Sequence, residues 1–160
     1  MLALLLACGI PPSGTTPPVT DDSSSFVCDT KNEDCQPGTC GGEGGKMLPG
    51  ANCLACHDGS NNEEDEEPRF GAAGTAFVDL GGSDGLSSAL VRITDANDTV
   101  VEIETNSAGN FYTTRNLVFP IDAEIEVDGT VRTMAASVDV GGCNSCHACE
   151  GEAGGKLTAP

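Results

Sequence analysis

Ile121-Asp122-Ala123-Glu124-Ile125-Glu126-Val127, followed by Asp128-Gly129 and Thr130-Val131-Arg132-Thr133-Met134, is the stretch that decides the fold class. Apolar and acidic residues alternate along its first half, the period of a strand with one face on a core and one in water. Asp-Gly supplies the positive backbone angles of a two-residue hairpin, so two antiparallel strands are predicted here. Working outward, Val100-Val101-Glu102-Ile103-Glu104 alternates in the same way. Thr75-Ala76-Phe77-Val78-Asp79-Leu80 and Ala89-Leu90-Val91-Arg92-Ile93 read as further strands, and Ala108-Gly109-Asn110 as a turn before Phe111-Tyr112-Thr113. Short strands at this spacing predict a mainly β fold: a small antiparallel β-sandwich of six or seven strands over residues 69–140. Irregular Cys/Gly-rich segments flank it at 28–60 and 141–160, and NNEEDEE at 61–67 opens a solvated acidic linker over 61–68.

The 160 residues include five Phe, one Tyr and no Trp, so the core is thin and calls for covalent or cofactor support. Nine cysteines point to an oxidising compartment, to cofactor or metal attachment, or to both. Net charge is −18, from 25 acidic and 7 basic residues, which excludes nucleic acid as a partner class. The same balance favours solubility and a partner with a basic docking patch.

Chemistry is concentrated in two motifs, Cys53-Leu54-Ala55-Cys56-His57 and Cys143-Asn144-Ser145-Cys146-His147, which contain both histidines of the chain. Two thiols three positions apart can each form a thioether to one vinyl group of a haem, and the histidine that follows can ligate the iron. Two haems c are therefore expected, attached at Cys53 and Cys56 and at Cys143 and Cys146, with His57 and His147 as proximal ligands. A zinc site built from the same four thiolates is the main rival, but it leaves the histidines without a task. Thioredoxin-like chemistry would need a βαβ pattern around the motif, and there is none.

With no third histidine, the sixth iron position must be filled otherwise. Met47 and Met134, upstream of Cys53 and Cys143, are the candidate distal ligands, since a thioether opposite histidine raises the reduction potential. The alternative for both is gap-filling in the core. Lys46, Lys156 or a partner's histidine would be other donors, and an open position would permit ligand binding. Cys28, Cys35, Cys40 and Cys149 then remain for disulfides, with three possible connectivities. The likeness between the Gly-rich strips that follow Cys40 and Cys149 suggests Cys40–Cys149, leaving Cys28–Cys35 as a local loop.

At the N-terminus, Leu5-Leu6-Ala7-Cys8 resembles the lipobox of bacterial lipoproteins. The resemblance implies a signal remnant at 1–7, acylation of Cys8, and a lipid anchor and flexible tether over 8–27. Gly9 after the cysteine is compatible with outer-membrane sorting, facing the periplasm or the cell surface. The middle of the chain resembles the carboxypeptidase-regulatory, transthyretin-like β-sandwich family. The residues are Gly74-Thr75-Ala76-Phe77-Val78, Ala89-Leu90-Val91-Arg92-Ile93-Thr94-Asp95 and Thr105-Asn106-Ser107-Ala108-Gly109-Asn110-Phe111-Tyr112. That likeness implies a scaffold and no chemistry. The layout from about 40 to 150 resembles exported bacterial c-type cytochromes with a small β-sandwich between C-x-x-C-H motifs, which implies extracytoplasmic electron transfer; with no distal base or Arg pattern for a peroxidase, an electron carrier rather than an enzyme is expected. Two other classes stay open: a surface scaffold or adhesion module with haem or zinc as a staple, and a haem-based sensor.

Overall fold

The computed structural model describes residues 28–33, 48–59 and 68–160. Cys8, Cys35, Cys40, Lys46 and Met47 lie outside the described residues, as does nearly all of the acidic linker.

The architecture is mainly β, with seven strands among the described residues: β1 (Ala72–Phe77), β2 (Leu90–Thr94), β3 (Val100–Glu104), β4 (Asn110–Thr113), β5 (Asp122–Val127), β6 (Thr130–Thr133) and β7 (Leu157–Thr158). They form a three-stranded sheet, β4-β1-β7, and a four-stranded sheet, β3-β2-β5-β6. The β5–β6 hairpin turns at Asp128 and Gly129, both at positive φ, as the Asp-Gly pair requires. In β2 the side chains of Val91 and Ile93 are buried while Leu90, Arg92 and Thr94 are half-exposed. The alternation thus aims one face at the core and the other at solvent. The core joins the two sheets through Ala72, Ala76, Val91, Ile93, Phe111, Ile121 and Ile125.

On the outer face of the larger sheet, Arg92 of β2 stands opposite Glu102 of β3 and Glu124 of β5. It pairs with Glu102 at 2.8 Å, Glu124 at 3.0 Å and Glu126 at 2.7 Å. The cation thereby relieves repulsion between carboxylates that adjoining strands bring together.

Two features differ from the sequence expectation. Every residue of β1 is buried, and the strand ends at Phe77, leaving Val78 and Leu80 exposed. Ala72-Ala73-Gly74-Thr75-Ala76 is too small-sided to register as a core strand. It is buried because the Cys-rich segments cover the face turned away from the core. The second difference is β7, which returns from the C-terminal segment to pair parallel with β1, Ala76 facing Leu157 and Phe77 facing Thr158. Pairing between the strands is therefore antiparallel except between β1 and β7.

Candidate functional site

Each C-x-x-C-H motif opens with a 3-10 turn, Cys53–Ala55 in the first and Cys143–Ser145 in the second. The two turns are near copies. Asn52 and Gly142 enter with φ, ψ of −73°, 95° and −83°, 87°, while Cys56 and Cys146 leave with −109°, −35° and −110°, −35°. In both, the carbonyl of the first cysteine accepts the N–H of the second at 3.2 Å and that of the histidine at 2.9 Å. The tight turn puts both cysteines and the histidine within one loop of backbone, which is what thioether attachment beside an axial ligand needs.

Both turns sit on β1. Ala73 N–H donates to the Gly141 carbonyl at 2.9 Å, and Gly50 N–H donates to Thr75 Oγ1 at 3.0 Å. Gly74 makes the seat possible, since a Cβ there would lie 2.7 Å from Cys143 Cβ and 2.8 Å from the Phe111 ring. The two motifs, some ninety residues apart in sequence, are thus neighbours in space. Among the described residues, however, no group of three or more His, Cys, Asp and Glu side chains could hold a metal ion.

The histidines have different surroundings. His57 is buried, its ring stacked on Phe70 with centroids 4.2 Å apart, and Phe70 stacks in turn on Tyr112 at 4.6 Å. Burial holds the His147 imidazole below its ordinary pKa, and Arg132 adds to that effect. A hydrogen bond to the Gly155 backbone acts in the opposite direction, so the ring N–H donates to the carbonyl. A neutral imidazole anchored through one nitrogen offers the lone pair of the other, the usual arrangement of a ligating histidine.

Next to the second motif lies a cavity of about 550 Å³. Cys143, Cys146 and His147 form part of its wall; Val91, Ile93, Phe111, Ile121 and Ile125 supply apolar lining, and Met134 lines it too. Its size falls within the roughly 300–1,000 Å³ typical of cofactor pockets. Met134 was expected within a strand but follows the last residue of β6, its N–H donating to the Ala123 carbonyl at 2.9 Å. Lys156, the other donor considered, is committed to Glu33 at 2.7 Å and lies 5.0 Å from the Phe77 ring centroid.

Cys53 and Cys143 are thiols, not half-cystines. Burial pushes the Cys53 thiol up to about 11 and that of Cys143 to about 12. Such thiols are poor nucleophiles, which argues against dithiol redox chemistry. In reduced, haem-free protein at pH 8 we expect iodoacetamide to label Cys53 roughly a hundredfold, and Cys143 roughly a thousandfold, more slowly than after unfolding. Equal rates in the native and unfolded protein, read by peptide mass, would contradict the burial.

The disulfides correct the sequence reading. Cys149 pairs with Cys28, not Cys40, with Cα atoms 5.7 Å apart. The Cys28–Cys35 loop is excluded with it. Repeated Gly-rich composition carries no information about adjacency, whereas β7 returning to β1 does. The same fold brings Glu33 Oε1 within 3.0 Å of the Cys149 N–H. Cys146, expected to carry a thioether, is disulfide-bonded. The four cysteines set aside for two disulfides are therefore not a closed set.

Asn144 is the site residue that sequence reasoning passed over. The only signal was an amide side chain between two cysteines whose attachment chemistry has no use for it.

The chain matches no protein-family model, no curated protein and no solved structure.

Proposed function

We propose that the chain is an exported c-type cytochrome with two haems, lipid-anchored at Cys8, that carries electrons to or from a partner with a basic docking patch. The observation that carries this reading is the pair of matched C-x-x-C-H turns on one strand, the second of them bordering a 550 Å³ apolar cavity that Met134 also lines. Haem bound there would supply a one-electron couple, and the protein would supply attachment, an iron donor and burial. Cys53 and Cys56 would hold the first group and His57 would ligate it, the imidazole kept in place by Phe70. Cys143 and Cys146 would hold the second, with His147, oriented by the Gly155 carbonyl, and Met134 as the side chains that would offer donor atoms to its iron. The apolar wall keeps water away, and the carboxylates flanking Arg92 steer a basic partner. The Cys28–Cys149 bridge is consistent with an oxidising compartment.

At Cys146 a thioether and a disulfide are alternatives. A second reading follows from that residue: a carrier of one haem, at the first motif, with Cys146 retained as a half-cystine. Haem quantification on protein matured in a host with c-type maturation machinery separates the two. The proposed function predicts two haems, one lost in C53A/C56A and the other in C143A/C146A. A single haem, insensitive to C143A/C146A, would select the second reading, and none would end both.

Met134→His is expected to lower the midpoint potential of one centre on the order of 100 mV, within the roughly 0.8 V that axial ligands span, and to leave the other unchanged. A potentiometric titration with both midpoints unmoved would remove Met134 from the ligand set.

A further inference from the structure

Attachment through C-x-x-C-H places no demand on the residues between the cysteines, yet Asn144 in the second motif is only 4 % exposed and makes three hydrogen bonds. Its Oδ1 accepts the Thr75 N–H at 3.1 Å. Its Nδ2 donates to the Ala51 carbonyl at 2.7 Å and lies 3.2 Å from Thr75 Oγ1. Ala51 is two residues ahead of Cys53, so this one side chain reaches from inside the second motif to the threshold of the first. The middle strand lies in the same network. Thr75 Oγ1 accepts the Gly50 N–H at 3.0 Å and donates to Asn110 Oδ1 at 2.8 Å. Thr75, Asn110 and Asn144 are all buried, where a polar group holds its partner because water is not there to replace it.

The first turn carries nothing equivalent. Leu54 occupies the corresponding position, and a Cβ on Gly142 would lie 3.7 Å from Leu54 Cβ and 2.7 Å from Asn52 Oδ1. The turns therefore approach closely through a glycine and are registered by one amide.

Resting on the two-haem reading, we propose that Asn144 is a positioning residue that fixes the two attachment turns against each other and against β1, and so sets the spacing of the two groups they carry. A leucine at 144, matching Leu54, keeps the volume but neither donates nor accepts. An aspartate keeps the acceptor for Thr75 and loses the donor to Ala51.

The test uses full-length, haem-loaded protein. Haem content by mass, the bisignate Soret circular dichroism arising from interaction between the haems, and the separation of the two midpoint potentials are compared in wild type, N144L and N144D. The haem-free protein gives the exchange rate of the Thr75 amide. We expect both variants to keep two haems while the Soret couplet falls at least twofold and the potential separation changes. Thr75 exchange should accelerate at least tenfold in N144L and much less in N144D. If N144L does not fold, N144D decides by the couplet alone. An unchanged couplet and separation in a variant that merely melts earlier would overturn the proposal, leaving Asn144 a purely structural group. Wild type without haem would instead end the two-haem reading, a result that Thr75 exchange does not depend on.

Discussion

Removing the Cys28–Cys149 bridge with C28S/C149S is expected to lower the free energy of unfolding by about 4–5 kcal/mol. The bridge closes a loop over a sequence separation of 121 residues, so it removes more unfolded-state entropy than a local disulfide would. Native contacts add to the effect. The bridge pins residues 28–33 to the C-terminal segment, where Glu33 meets the Cys149 N–H and Asp29 N–H donates to the Gly81 carbonyl at 2.7 Å. Its loss would leave that segment held by a few polar contacts and would loosen the chain two residues beyond His147. A core of small side chains, with Phe77, Ile93 and Ile121 among its largest, leaves little reserve to absorb such a change. Urea denaturation checks it, and a loss below about 1 kcal/mol would show that the fold does not depend on this closure.

The second large effect is expected at Glu33. Its carboxylate faces the Lys156 ammonium at 2.7 Å, where the lysine side chain is 1 % exposed and the glutamate 15 %. Glu33→Gln leaves a buried ammonium without its counter-charge, which typically costs about 3–5 kcal/mol. Lys156→Met should cost less, because methionine fills the same space against Phe77 while Glu33 can turn to water and still accept the Cys149 N–H. The double variant E33Q/K156M is expected to be more stable than E33Q alone, as the orphaned charge is gone. Denaturant midpoints for all four proteins settle the order. E33Q milder than K156M would contradict the burial asymmetry.

Much of the fold was legible because its strands carry period-2 alternation. β3 was predicted at Val100–Glu104, where it is found, and the Asp128-Gly129 turn joins β5 to β6. β1 was placed a few residues late because Phe77-Val78-Asp79-Leu80 looks more like a strand than Ala72-Ala73-Gly74-Thr75-Ala76. Burial on both faces by other segments leaves no alternation to read. β7 has two residues and lies in a Gly-rich tail, below what pattern can resolve. At the site, both C-x-x-C-H motifs were plain from spacing. Their adjacency was not, because it depends on β1 receiving both, nor was the Asn144 contact that joins them. The Cys40–Cys149 expectation fails for the same reason. Partners are chosen by how β7 returns, and cysteine counting is blind to that.

The central claim is that the thiols of the two turns carry porphyrin, and the intact mass of the mature polypeptide tests it most directly. Protein matured with c-type machinery should, after denaturation and full reduction, weigh more than its acylated chain by two haems. A mass equal to polypeptide and lipid alone, with all eight remaining cysteines open to alkylation, would contradict the account.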